Sequence, residues 1–146
     1  MVDDVAYVDD SKATNAHAAA AALGAFAPGS VVWVAGGLAK GAQFDELVAA
    51  RRDRLRGVVL IGVDRAPLRE ALARHAPDVP VVEVDAGETG SVMTRAVHEA
   101  SRLAAGSSDA VTVLLAPACA SMDQFTSYAA RGEEFAAAVR ALGGDA

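Results

Sequence analysis

Five short apolar runs, at residues 6–8, 31–35, 58–61, 81–84 and 110–115, recur along the chain and leave little freedom in what it folds into. A strand with one wet face alternates apolar and polar residues, whereas an uninterrupted apolar run describes a strand covered on both faces. Between the runs lie stretches of helical composition at 15–26, 44–54, 67–75 and 91–104, with a last one at 133–142. A strand-to-strand spacing of roughly 25 residues is what a right-handed crossover helix needs. The pattern predicts an α/β fold on a doubly wound, mostly parallel sheet with helices on both faces.

Punctuation and composition fit that frame. Pro28-Gly29-Ser30 ends the first helical stretch, Pro67 suits a first helical turn, and Gly106-Ser107-Ser108-Asp109 separates the fourth helix from its strand. The 146 residues make one domain, 1–146, long enough to bury about two thirds of its unfolded surface. Hydrophobic residues make up 53% of the chain and aromatic ones only 5%, which suits small-residue helices packed on valine-rich strands. There is no internal repeat, linker or low-complexity segment, and the tail Gly143-Gly144-Asp145-Ala146 is expected to fray.

Several function classes are disfavoured. No apolar stretch approaches the ~20 residues of a membrane span, and Met1-Val2-Asp3-Asp4 has no secretory character, so a cytoplasmic protein without membrane contact is expected. A single cysteine, Cys119, excludes an internal disulfide, and its alanine neighbours suit a small core residue rather than a nucleophile. The formal charge of −6 and the dispersed arginines make nucleic acid a poor partner. One local group, Arg51, Arg52, Arg54 and Arg56, reads as the solvated end of a helix, favourable against its dipole. His17, His75 and His98 have no ligand spacing, and Trp33, inside a strand, is expected to pack.

In a doubly wound sheet ligands bind beyond the carboxyl ends of the strands, so the loops there carry the chemistry. Three are polar: Asp9 to Asn15 after the first strand, Gly36 to Gly41 after the second, and Ala116 to Phe125 after the last. None is a nucleotide fingerprint, because neither G-x-G-x-x-G nor G-x-x-x-x-G-K-[ST] occurs. Eleven of the thirteen cations are arginine, and the two lysines, Lys12 and Lys40, both fall in these loops. Lys40, behind Gly36-Gly37, suits either a carboxylate contact or a solvated loop. Ser121 suits a helix N-cap or an anion contact, and Asp10, Ser11 and Thr14 suit capping of the first helix, with Asp10 equally able to accept from a ribose hydroxyl.

Two segments, Asp10-Ser11-Lys12-Ala13-Thr14-Asn15 and Pro117-Ala118-Cys119-Ala120-Ser121-Met122-Asp123-Gln124-Phe125, resemble motifs of the D-glutamate-adding Mur ligases. Gly36-Gly37 with Lys40 resembles the lysine loop of that family, and Arg131-Gly132-Glu133-Glu134-Phe135 its closing segment. Residues 45–106 carry no matching motif. The resemblance implies the Rossmann-like C-terminal domain of an ATP-dependent ligase. The whole ligase would join D-glutamate to UDP-N-acetylmuramoyl-L-alanine through an acyl phosphate, in peptidoglycan precursor synthesis. It further implies that Thr14, Lys40 and Ser121 hold the carboxylates of D-glutamate, with the backbone near Met122 helping and Tyr128 available to stack. Asp10 and Lys12 would reach the nucleotide, ATP or ADP. Ser127 and Tyr128 stand where the family often has Asn and Phe. ATP and Mg²⁺ are implied for the full-length enzyme, with neither held firmly by this domain alone, because the UDP-binding N-terminal and ATP-binding central domains lie outside this chain. No turnover is then expected from the 146 residues by themselves. Two rivals are the equivalent domain of another Mur-superfamily enzyme, such as a folylpolyglutamate synthase, and a stand-alone, non-catalytic binding module.

Overall fold

Strand β2 (Val31–Gly36) is buried along its whole length, and its side chains divide strictly between two cores. Val31, Trp33 and Ala35 enter one, and Val32 and Val34 the other, as the two-residue period of a strand requires. The computed structural model describes residues 5–10, 16–36, 44–61, 66–84, 89–105, 111–116 and 128–142, with backbone only for 16, 89–92, 128–131 and 141–142. Around β2 stand β1 (Val5–Asp9), β3 (Leu55–Ile61), β4 (Val81–Glu83) and β5 (Val111–Leu115), in the order β1-β5-β2-β3-β4. All four neighbouring pairs are parallel.

Helices cover both faces. On one side lie α1 (Ala16–Leu23), α2 (Asp45–Arg51) and α3 (Ala66–His75), which supply Ala19, Leu23, Leu47, Val48, Leu68, Ala71 and Leu72 to the first core. On the other lie α4 (Thr89–Ala104) and α5 (Tyr128–Leu142), which supply Met93, Ala96, Val97, Ala100, Phe135 and Ala138 to the second. Each fully buried Leu, Phe or Met contributes about 1.5–3 kcal/mol through the water it leaves. The expected α/β sheet, doubly wound, is the one observed.

Boundaries moved where local chemistry overrides composition. Alanine-rich α1 stops at Leu23, three residues short of its expected end, because Gly24 opens a tighter turn in which Ala25 and Phe26 donate to Ala22 and Leu23. The last three residues expected in α2 form a 3₁₀ turn, Arg52–Arg54, leading into β3. Helix α5 begins five residues early, at Tyr128, and carries Gly132 inside it, where propensity alone places a break. Full burial of the strands holds for β2 and nearly so for β3 and β5. The edge strands depart from it: Val8 on β1 and Val81 on β4 are exposed, since an edge strand is only partly roofed by helices.

The arginine group is more than a solvated helix end: Arg52 is exposed, and Arg51, Arg54 and Arg56 are part-buried on carbonyls of other elements. Arg51 donates through Nε to the Ala20 carbonyl in the last turn of α1 (2.8 Å), and Arg54 through Nη1 to the Phe26 carbonyl just beyond (2.6 Å). Arg52 donates to the carbonyl of His75, the last residue of α3 (3.2 Å). Arg56 reaches the opposite face, donating through Nε to Leu103 (2.8 Å) and through Nη2 to Ala105 (2.9 Å) at the end of α4. Helix carboxyl ends carry a partial negative charge and carbonyls short of helical partners, and a guanidinium answers both; the Ala20 carbonyl, which also accepts from the Gly24 N–H (3.0 Å), gains a second donor. A β-bulge makes the Arg56 contact possible. Val31 pairs with Leu55 and Val32 with Gly57, so Arg56 is the extra residue, and both it and Gly57 meet Leu103.

Candidate functional site

The strand order brings three strand ends together that the chain separates widely. Asp9 of β1, Leu115 of β5 and Val34 of β2 lie on one rung of the sheet. The rung continues outward through Asp10, whose N–H donates to the Leu115 carbonyl (2.8 Å), and Ala116, whose N–H donates to the Val34 carbonyl (3.2 Å). The loops that begin after β1, β2 and β5 therefore leave one rim from adjacent strands, within about 10 Å at the usual strand separation. These are the three loops that carry the motifs.

This rim is also where the winding of the sheet reverses. From β1 the chain passes the place later filled by β5 and moves through β2 and β3 to β4, with α1, α2 and α3 on one face. It returns by α4 across the other face to insert β5, and α5 follows on that same face. Helices leaving β1 and β5 go to opposite sides, which opens a crevice between the two strand ends.

Asp10 is part-exposed at that crevice, its backbone N–H held on the Leu115 carbonyl. Lys12, Thr14, Lys40, Ser121 and Met122 lie outside the described residues, as does Cys119. Tyr128 opens α5, with only its backbone described. Within the closing segment, Gly132 and Phe135 are buried, Phe135 in the second core, and burial pushes the Glu134 carboxyl above its ordinary value.

Two residues that support the rim were not singled out for that role. Gly36, the last residue of β2, has φ +128°, and a Cβ placed there would lie 1.9 Å from the Ile61 carbonyl oxygen on β3. Only glycine fits at this start of the lysine loop. Trp33 packs, as expected, and also reaches beyond its strand: its buried Nε1–H donates to the carbonyl of Ala116 (2.7 Å), where the chain leaves β5. A lone tryptophan in an aromatic-poor strand was the available signal; the identity of its acceptor depends on strand order.

His17 and His98 are exposed, and His75 Nε2 lies 3.0 Å from Asp45 Oδ1. Arg74 donates to that oxygen through Nε (3.0 Å), with Nη2 at 2.9 Å, and its hydrogen bond leads the effects holding the Asp45 carboxyl below its usual value. The cluster ties α2 to α3. Among the described residues no three His, Cys, Asp or Glu side chains gather as metal ligands, and no helix is long and apolar enough to cross a membrane.

Residues 1–119 match the family described as "Mur ligase, glutamate ligase domain". A UDP-N-acetylmuramoylalanine--D-glutamate ligase of Streptomyces avermitilis is 66% identical over 142 residues, which cover 97% of this chain and 29% of the relative. Proteins of the same name from Thermobifida fusca and Mycobacterium bovis are 60% and 52% identical, over 98% and 97% of this chain and 30% and 33% of their own lengths. The chain thus spans about a third or less of the relatives it matches, corresponding to their C-terminal region. It belongs to the Mur ligase glutamate ligase domain family.

Proposed function

We propose that this chain is the amino-acid-binding domain of an ATP-dependent ligase that joins D-glutamate to UDP-N-acetylmuramoyl-L-alanine. The observation that carries the reading is the convergence of the β1, β5 and β2 ends on one rung, at the crevice where the winding reverses. Lys40, Thr14 and Ser121 belong to the three loops that start there, and in this reading they hold the carboxylates of D-glutamate. The backbone near Met122 adds a contact and Tyr128 stacks. The name shared by the relatives contains D-glutamate, which favours this amino acid over the substrate of a folate-type enzyme.

ATP in the full enzyme supplies the phosphoryl group that activates the acceptor carboxylate, with Mg²⁺ as its counter-ion. Asp10 fits a nucleotide neighbour, since its carboxylate stands part-exposed at the crevice on a backbone held by β5, and Lys12 follows it in the same loop. In this reading the metal is held mostly by the ATP-binding part of the full enzyme, outside this chain. This domain's task is to hold the amine of D-glutamate in line with the activated carboxyl and exclude water, so that the encounter becomes effectively intramolecular.

Lys40→Ala in the complete ligase tests the assignment. Loss of one charged contact predicts an about ten- to hundredfold rise in the KM for D-glutamate with the UDP-substrate KM unchanged. An unchanged D-glutamate KM would return Lys40 to a solvated loop and withdraw the site.

A further inference from the structure

We infer that Trp33 is a positioning residue for the amino-acid site, coupling the loop that carries Lys40 to the loop that carries Ser121. The inference rests on the functional reading above and adds a residue that lies in neither loop.

Trp33 sits on β2, three residues before Gly36 and seven before Lys40. Its side chain is wholly buried in the first core, and its Nε1–H is 2.7 Å from the carbonyl of Ala116, five residues before Ser121. The bond therefore runs between adjacent strands, from the middle of β2 to the residue just past the end of β5. Ala116 is held from two sides, its N–H on the Val34 carbonyl and its carbonyl on the indole. An indole in a dry core has one N–H and no water to satisfy it, so this geometry is strongly preferred over any in which Ala116 swings away. The Ala116 peptide, which leads into the serine loop, is thus registered against the strand that presents the lysine loop. Phenylalanine would fill most of the same space and leave the Ala116 carbonyl without its partner.

The test uses the full-length ligase containing this chain, with Trp33→Phe set beside Leu72→Val. Leu72 is buried in the same core on α3, on neither of the two coupled strands. The expected result is a rise of about fivefold or more in the D-glutamate KM for Trp33→Phe, with the KM values for ATP and the UDP-substrate within about twofold of wild type. Leu72→Val should lower the melting temperature without moving the D-glutamate KM. If Trp33→Phe does not give folded enzyme, benzothienylalanine at position 33, which replaces the N–H with sulfur at nearly constant volume, is read by the same criteria. A D-glutamate KM within about twofold of wild type would overturn the inference, as would a parallel rise in all three KM values. Lys40→Ala separates this from failure of the underlying reading: a raised KM there beside an unmoved one for the indole variant rejects the role of Trp33 alone, whereas no effect of Lys40→Ala rejects the site itself.

Discussion

Replacing Gly36 with alanine should destabilise the domain severely, at a position whose three nearest neighbours are all backbone atoms. The added Cβ would stand 1.9 Å from the Ile61 oxygen, 2.8 Å from its carbonyl carbon and 3.0 Å from its nitrogen. Carbon–oxygen contacts this short do not persist, and no flexible side chain can turn aside, so β2 and β3 must part by on the order of 1 Å at a paired position. Forcing an L-residue to φ +128° costs about 1–3 kcal/mol, and overpacking against fixed neighbours about another 1–3 kcal/mol. A total of about 2–6 kcal/mol is a large share of the about 5–15 kcal/mol that holds a domain of this size folded. Urea unfolding followed by circular dichroism measures it directly, and the melting temperature should fall by on the order of 10 °C. A Gly36→Ala protein within about 0.5 kcal/mol of wild type would refute the reasoning, since neither the backbone angle nor the contact could then be as described.

Two further outcomes follow from the charged contacts. Arg56→Ala removes two hydrogen bonds to the end of α4 and should cost about 1–3 kcal/mol, with Arg56→Lys recovering only part because an ammonium cannot span both carbonyls in the guanidinium's fixed fork; comparison of the two by urea unfolding checks this. The Asp45 carboxyl, held low first by Arg74, contributes stability that is fully present above its unfolded value near pH 4 and is lost as pH falls through its lower folded value. The stability gap between wild type and Asp45→Asn should therefore narrow from about pH 5 to about pH 3, and a gap constant across that range would remove Asp45 from the account.

Much of this architecture was legible because strand burial writes itself into composition. Residues 31–35 and 58–61 must be apolar on both sides in a sheet roofed on both faces, and no helix of that length could use them equally well. What stayed hidden depends on partners distant in sequence. That β5 inserts between β1 and β2 follows from no local pattern, yet it alone makes neighbours of the Asp10, Gly36 and Ala116 exits. Trp33 looked like core and is core; its N–H acceptor, 83 residues away, became visible only with strand order. The arginines misled for a related reason, because their partners are helix ends brought close by the fold, and a run of cations on a helix reads as solvated until those ends are placed. The candidate site was legible through its motifs more than through its physics, since a lysine or serine in a polar loop carries no local mark of its ligand.

The arginine contacts bear on how the domain comes apart. A sheet with a separate core on each face has an evident route to stepwise melting, one layer of helices peeling away while the other holds. Here six consecutive residues, 51 to 56, tether α1 and α3 on one face and α4 on the other. Loss of order in that short stretch removes contacts from helices in both layers together, which favours unfolding of the two half-cores as one cooperative unit.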